Sequence, residues 1–267
     1  MKVAVSGKGG VGKTTIASIL ARSFRAADLK VLAIDADPNP TFGLALGLAS
    51  DEAERIVPIV ENADLVKEKT GVEPNEGGLF RLTFRVDDLV DRFGVPTPCG
   101  VSLIVMGAVR SSGQGCMCPA NALVRALLRY VLVGRGEVVV VDLEAGLEHF
   151  GRGTAENVDA MLVVAEPSLA ALETAKRICR LAGEMGVKKV LVVGNKITNT
   201  KDEQIIVDFC AANRLDLVGL VPYDEAARDC EVRGAAPSLD LRSATAIRRV
   251  GEKLLKPGRD TFISSRN

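Results

Sequence analysis

Eight residues near the start of the chain, Gly7-Lys8-Gly9-Gly10-Val11-Gly12-Lys13-Thr14, constrain its fold more than any other segment. They satisfy the pattern G-x-x-x-x-G-K-[ST] between an apolar run at residues 2–6 and a helically spaced stretch at 14–27. That strand–loop–helix setting separates a phosphate-binding loop from a chance glycine-rich turn. The glycines let consecutive backbone N–H groups converge on phosphate oxygens, and the helix N-terminus adds a favourable dipole. Gly9, Gly10, Val11, Gly12 and Thr15 are expected to surround the phosphates of ATP. Lys13 should reach the β- and γ-phosphates, and Thr14 should ligate Mg²⁺.

The rest of the chain repeats the alternation. Apolar runs at 30–35, 101–106, 137–141, 160–165, 188–193 and 217–221 are rich in Val, Leu and Ile at successive positions. Strands buried on both faces look like this. Helical spacing falls at 119–133, 168–185, 202–213 and 241–255; residues 51–69 also read as helix, and 71–100 as mixed and loop-rich. The expected fold is α/β, a doubly wound, mostly parallel sheet with helices on both faces. A single domain is expected over residues 1–256, with a polar tail at 257–267. A chain of 267 residues, 47% of them hydrophobic, can bury a large core without staples.

Lys plus Arg and Asp plus Glu each number 34. No basic excess points to nucleic acid or to an anionic membrane. The first residues lack the apolar core of about 7–15 residues that a secretory signal needs. No run approaches the roughly 20 apolar residues of a membrane span. A cytoplasmic location is expected, where Cys99, Cys116, Cys118, Cys179, Cys210 and Cys230 stay reduced.

Lys8 adds a second cation early in the loop. The run Lys-Gly-Gly-Val-Gly-Lys-Thr-Thr resembles the deviant Walker A class, which includes the nitrogenase iron protein, the ParA and MinD ATPases and metallocentre-assembly ATPases. The resemblance implies a homodimer in which Lys8 crosses to the partner's nucleotide, stabilising the phosphoryl transition state as an arginine finger does. It also implies that Asp37, in Asp35-Ala36-Asp37-Pro38, orients the attacking water, with Asp35 nearer the metal. The apolar run 138–141 ends at Asp142, as a Walker B strand does, and Asp142 is expected to hold Mg²⁺ through water. Gly146 is a candidate second switch. Asn195 with Lys196, and Pro222 with Tyr223 and Asp224, stand where relatives read the base.

A second informative segment is Gly115-Cys116-Met117-Cys118-Pro119. Two thiols at i and i+2, just before a helix, gain thiolate character from its N-terminal dipole. Tetrahedral Zn²⁺ takes four ligands, as does square-planar Ni²⁺, and one chain supplies two. A two-fold dimer would supply four. Alone, C-x-C reads as two loop thiols; beside a dimerising ATPase it reads as half of a metal site.

The chain also looks like the CooC family of nickel-inserting ATPases, which mature carbon monoxide dehydrogenase, and its relative for acetyl-CoA synthase. The match spans residues 1–255. It rests on residues 1–15, the C-x-C pair, Glu144-Ala145-Gly146-Leu147-Glu148-His149, Arg152-Gly153-Thr154 and Val221-Pro222-Tyr223. The resemblance implies that Cys116 and Cys118 bind Ni²⁺ or Zn²⁺ between subunits, and that the client is an apo carbon monoxide dehydrogenase or acetyl-CoA synthase. Cys179 and Cys210 read as buried hydrophobes. His149 reads as a structural histidine, and Arg248, Arg249 and Lys253 as a solvated basic face. Two alternatives are a MinD/ParA-type positioning ATPase and an iron–sulfur redox ATPase like the nitrogenase iron protein. The first would need a membrane helix or a basic surface. The second needs separated cysteines around a shared cluster.

Overall fold

A computed structural model describes residues 1–70, 86–107, 126, 136–143 and 157–256. The expected helix at 119–133, the cysteine pair Cys116 and Cys118, Gly146 and His149 lie outside the described residues, apart from Ala126.

Eight strands form one sheet: β1 Lys2–Gly7, β2 Lys30–Ala36, β3 Val95–Pro96, β4 Ser102–Val105, β5 Glu137–Leu143, β6 Ala160–Ala165, β7 Val190–Ile197 and β8 Asp216–Pro222. Their order is β3-β4-β2-β5-β1-β6-β7-β8, and every neighbouring pair is parallel except β3 with β4. The continuous apolar runs explain this arrangement. Alternate residues of one strand enter opposite cores: Val138 and Val140 face one layer, Val139 and Val141 the other. Neither face is left for water, so helices cover both.

The helices are α1 Lys13–Ala26, α2 Phe42–Ala45, α3 Ser50–Glu54, α4 Ala63–Thr70, α5 Val86–Phe93, α6 Leu169–Glu184, α7 Thr200–Asn213, α8 Glu225–Val232 and α9 Arg242–Leu255. Residues of α1 and α9 share one core, and those of α6 and α7 the other. The continuous helix expected at 51–69 is broken into α3, a 3₁₀ turn Ile59–Glu61 and α4. Pro58 is the cause: it lacks an N–H and pushes Val57 out of helical geometry. The loop-rich stretch contains α5 and the short antiparallel edge strand β3.

Helix α9 buries Ala244, Ile247, Val250 and Leu254 against α1 and β8. Its basic residues divide. Arg248 and Arg249 are exposed as expected, whereas the Lys253 ammonium donates to the Val218 carbonyl at 2.8 Å. Cys179 and Cys210 are buried, and burial pushes their thiols up to about 12 and about 11. They act as small apolar side chains, as the sequence suggested.

Candidate functional site

Strand β1 lies between β5 and β6, where the winding of the sheet changes direction. Ligands of open α/β sheets bind at such a point, outside the carboxyl ends of the strands. The register places three groups there: Val5 of β1 lies opposite Asp142 of β5, and Asp35 of β2 lies opposite Asp142 from the other side.

The loop from β1 to α1 adopts the left-handed backbone its glycines permit, with φ of 82° at Gly10 and 91° at Gly12. Gly12 is the N-cap of α1. No side chain caps this helix, and no acidic residue stands in its first turn. Its first amides therefore remain available to an anion. Gly9 and Gly10 are exposed, whereas Val11 is buried and anchors the loop in the core. Lys13 is buried, with 8% exposure, and its ammonium reaches back to the Lys8 carbonyl at 3.5 Å. Lys8 points outward, and among the described residues its ammonium has no partner.

Behind the loop, the Thr14 hydroxyl donates to Asp142 Oδ2 at 2.5 Å. Asp142 is 1% exposed, and its Oδ1 has no hydrogen-bond partner. Such an orphaned carboxylate oxygen is costly. A hard cation with oxygen ligands would relieve it, so Thr14 and Asp142 together fit Mg²⁺. Asp35 is used differently. Its Oδ1 accepts the Asp37 amide at 3.1 Å and its Oδ2 the Phe42 amide at 2.9 Å. The carboxylate thus ties residues 37–42 to the sheet end. Desolvation raises both carboxyls to about 7. For Asp35 it outweighs the amides of Phe42 and Asp37. For Asp142 it is reinforced by the Asp35 charge and opposed by Thr14 and Lys13. Asp37 is half-buried, and its Oδ1 accepts the Asn39 amide at 2.9 Å.

On the other side of the loop, Asn195 at the end of β7 donates from Nδ2 to the Val11 carbonyl at 2.7 Å. This contact was not foreseen. Asn195, which the sequence suggested for reading a base, grips the phosphate loop. Asn195, Lys196, Pro222 and Tyr223 line a cavity of about 680 Å³ that reaches Gly12 and Thr15. A second cavity, of about 350 Å³, lies over Gly10, Lys13 and Thr14 and is also lined by Thr41, Ala45 and Pro237. Gly12 and Thr15 line both. A long ligand with a polyanionic end and a flat end has room to lie across them. The contribution of Thr41, Ala45 and Pro237 carried no motif by which a sequence could announce it.

Residues 2–237 match the family model of the CobQ/CobB/MinD/ParA nucleotide binding domain. An uncharacterised ATP-binding protein of Methanocaldococcus jannaschii is 43% identical, over 96% of this chain and 98% of that protein. The carbon monoxide dehydrogenase accessory protein CooC of Rhodospirillum rubrum is 42% identical, over 88% of each chain. Among solved structures, the MinC:MinD cell division protein complex of Aquifex aeolicus superposes with a TM-score of 0.67 at 22% identity, over 96% of this chain and 95% of that one. This last likeness establishes the fold, a mostly parallel sheet of the MinD/ParA P-loop type. The chain belongs to the CobQ/CobB/MinD/ParA nucleotide-binding domain family, as one of its P-loop ATPases.

Proposed function

We propose that the protein is a CooC-type accessory ATPase that carries nickel at a dimer interface and delivers it to a carbon monoxide dehydrogenase or acetyl-CoA synthase metallocentre. The observation that carries the reading is the 42% identity with CooC over 88% of both chains, in a sequence that also holds Lys8 and the pair Cys116 and Cys118.

In this reading the adenine base lies in the larger cavity, against Asn195, Pro222 and Tyr223. The triphosphate runs over the amides of Gly9, Gly10, Val11, Gly12, Lys13, Thr14 and Thr15. Lys13 leaves the Lys8 carbonyl to meet the β- and γ-phosphates. Thr14 and Asp142 would hold Mg²⁺, which would supply neutralising charge on the phosphate oxygens. Asp37 gives up the Asn39 amide and orients the attacking water. Lys8, already turned outward, reaches the nucleotide of a second copy. Cys116 and Cys118, with the same pair from that copy, hold Ni²⁺ or Zn²⁺ as cargo, and hydrolysis opens the dimer to release it.

The test is metal titration with size-exclusion chromatography, with and without ATP. Wild type should bind about one Ni²⁺ or Zn²⁺ per dimer, and the Cys116→Ser/Cys118→Ser double variant none at that site. Equal stoichiometry in both would overturn the cargo reading. A membrane-positioning role has less support. The apolar face of α9, the amphipathic helix such a role would draw on, is spent on α1 and β8.

A further inference from the structure

The end of β7 holds two consecutive residues whose side chains both reach the phosphate loop. Asn195 takes the Val11 carbonyl. Lys196 takes the preceding one, donating from Nζ to the Gly10 carbonyl at 2.6 Å. Adjacent residues of a regular strand face opposite sides of the sheet, so this pairing needs a distortion. Two features provide one. The β7–β8 register shifts between Gly194 and Ile197, and Lys196 has a φ of +60°. Few non-glycine residues adopt that left-handed conformation, and those that do are held there by their surroundings.

The ammonium is held from the far side as well. Glu166, just past β6, approaches Lys196 Nζ with Oε2 at 3.5 Å. Its Oε1 accepts the hydroxyl of Ser168, the N-cap of α6, at 3.3 Å. A chain of contacts thus runs from the N-terminus of α6 through Glu166 and Lys196 to Gly10.

We infer that Lys196 is a positioning residue for the ATPase reaction: with Glu166 behind it, it holds the Gly10 carbonyl outward so that the loop amides face the phosphates. The physical reason is twofold. A phosphate loop offers N–H groups only if its carbonyls turn away, and a carbonyl turned away needs a donor. A cation on that carbonyl also polarises the Gly10–Val11 peptide, whose N–H donates to the Lys8 carbonyl at 3.4 Å, and so strengthens the turn that presents the remaining amides. The inference rests on ATP lying over the loop and not on the metal cargo.

The experiment compares Lys196→Met, Lys196→Gly, Lys196→Arg, Glu166→Gln and the Lys196→Met/Glu166→Gln double variant. It measures KM and kcat for Mg-ATP, the Kd for ADP, and melting without nucleotide. Lost amide alignment weakens ground state and transition state alike, so KM and the ADP Kd should rise about tenfold in Lys196→Met with kcat changed less than about threefold. Lys196→Gly relaxes the left-handed backbone yet removes the ammonium, so it should fail as Lys196→Met does, even where it melts higher. Lys196→Arg should recover most of the affinity. Glu166 reaches the phosphate loop only through Lys196, so the double variant should bind nucleotide no worse than Lys196→Met. Near-wild-type affinity in Lys196→Gly, or additive losses in the double variant, would overturn the inference. Wild type that binds no Mg-ATP would instead overturn the assignment of the site itself.

Discussion

The hydroxyl of Thr14 donates to one oxygen of Asp142 at 2.5 Å while the other oxygen of the same carboxylate faces no donor. A buried half-satisfied carboxylate stores a cost that only a cation or a proton removes. Asp142→Asn removes the charge and keeps an acceptor for Thr14. It is expected to lower Mg-dependent ATP hydrolysis about 10- to 100-fold, the usual effect of losing a group that orients a metal's ligands. The same change should raise the melting temperature of the nucleotide-free protein at pH 8, where the wild-type carboxylate is charged. Phosphate release and thermal melting check the two arms. Unchanged hydrolysis would remove Asp142 from the magnesium site.

Asp35 and Asp142 make the metal-free protein sensitive to pH. Each folded-state pKa is raised from 3.8 to about 7, so the folded state holds these protons more tightly than the unfolded chain. Their stabilising contribution is complete below about pH 4 and is lost as pH rises through about 7. Chelator-treated protein should therefore lose stability from these groups between about pH 4 and 7, on the order of a few kcal/mol in all. Asp142→Asn should flatten the slope, and excess Mg-ADP should suppress it, because a bound cation favours the charged carboxylate. Melting curves across this range, with and without Mg-ADP, decide the matter. Stability that climbs equally in wild type and Asp142→Asn would contradict it.

Gly12 sits where the loop, the base cavity and α1 meet. Its φ of +91° is a conformation that side chains resist, and a Cβ there would lie 2.5 Å from Asn195 Nδ2. Gly12→Ala should cost about 1–3 kcal/mol of stability. It should weaken ATP binding further by driving Asn195 from the Val11 carbonyl. Denaturant melts and nucleotide titration measure the two effects separately. Asn195→Ala, which empties the space, should restore part of the stability of Gly12→Ala and none of the wild-type affinity.

The site was legible wherever chemistry is written into contiguous residues. The loop from Gly7 to Thr14 announces itself because one strand end, one turn and one helix start share a single motif. The parallel sheet was legible because Val138–Val141 and its counterparts leave no polar face. Asp35 and Asp142 were legible as strand ends, and the register brings them opposite each other. Other features depend on geometry that local pattern does not encode. The left-handed Lys196 and its reach to Gly10 come from a register shift between β7 and β8. The short helix Glu225–Val232 buries only Ala227, so it has almost no apolar stripe to read. The break at Pro58 was visible in principle, because proline interrupts a helical period.

Lys8 and Lys13 flank the same glycines and behave oppositely: Lys13 is buried against the loop and Lys8 is turned out of it. If Lys8 acts on the partner's nucleotide, Lys8→Ala should bind ATP normally and lose about a thousandfold in kcat, as enzymes deprived of an arginine finger do. Mixing distinguishes this from action within one chain. Asp37→Ala keeps Lys8 but lacks the group proposed to orient water, so it is expected to be inactive alone. In a mixed dimer, the site on the Lys8→Ala chain has its own Asp37 and receives Lys8 from its neighbour. The other site has neither. Random pairing of equal amounts makes half the dimers mixed, each with one complete site, so activity should recover to about a quarter of wild type. A lysine acting on its own nucleotide leaves every site in the mixture defective, and no recovery follows. Steady-state hydrolysis of the two variants, alone and mixed, separates the outcomes, and dilution below the dimer dissociation constant should abolish the recovery.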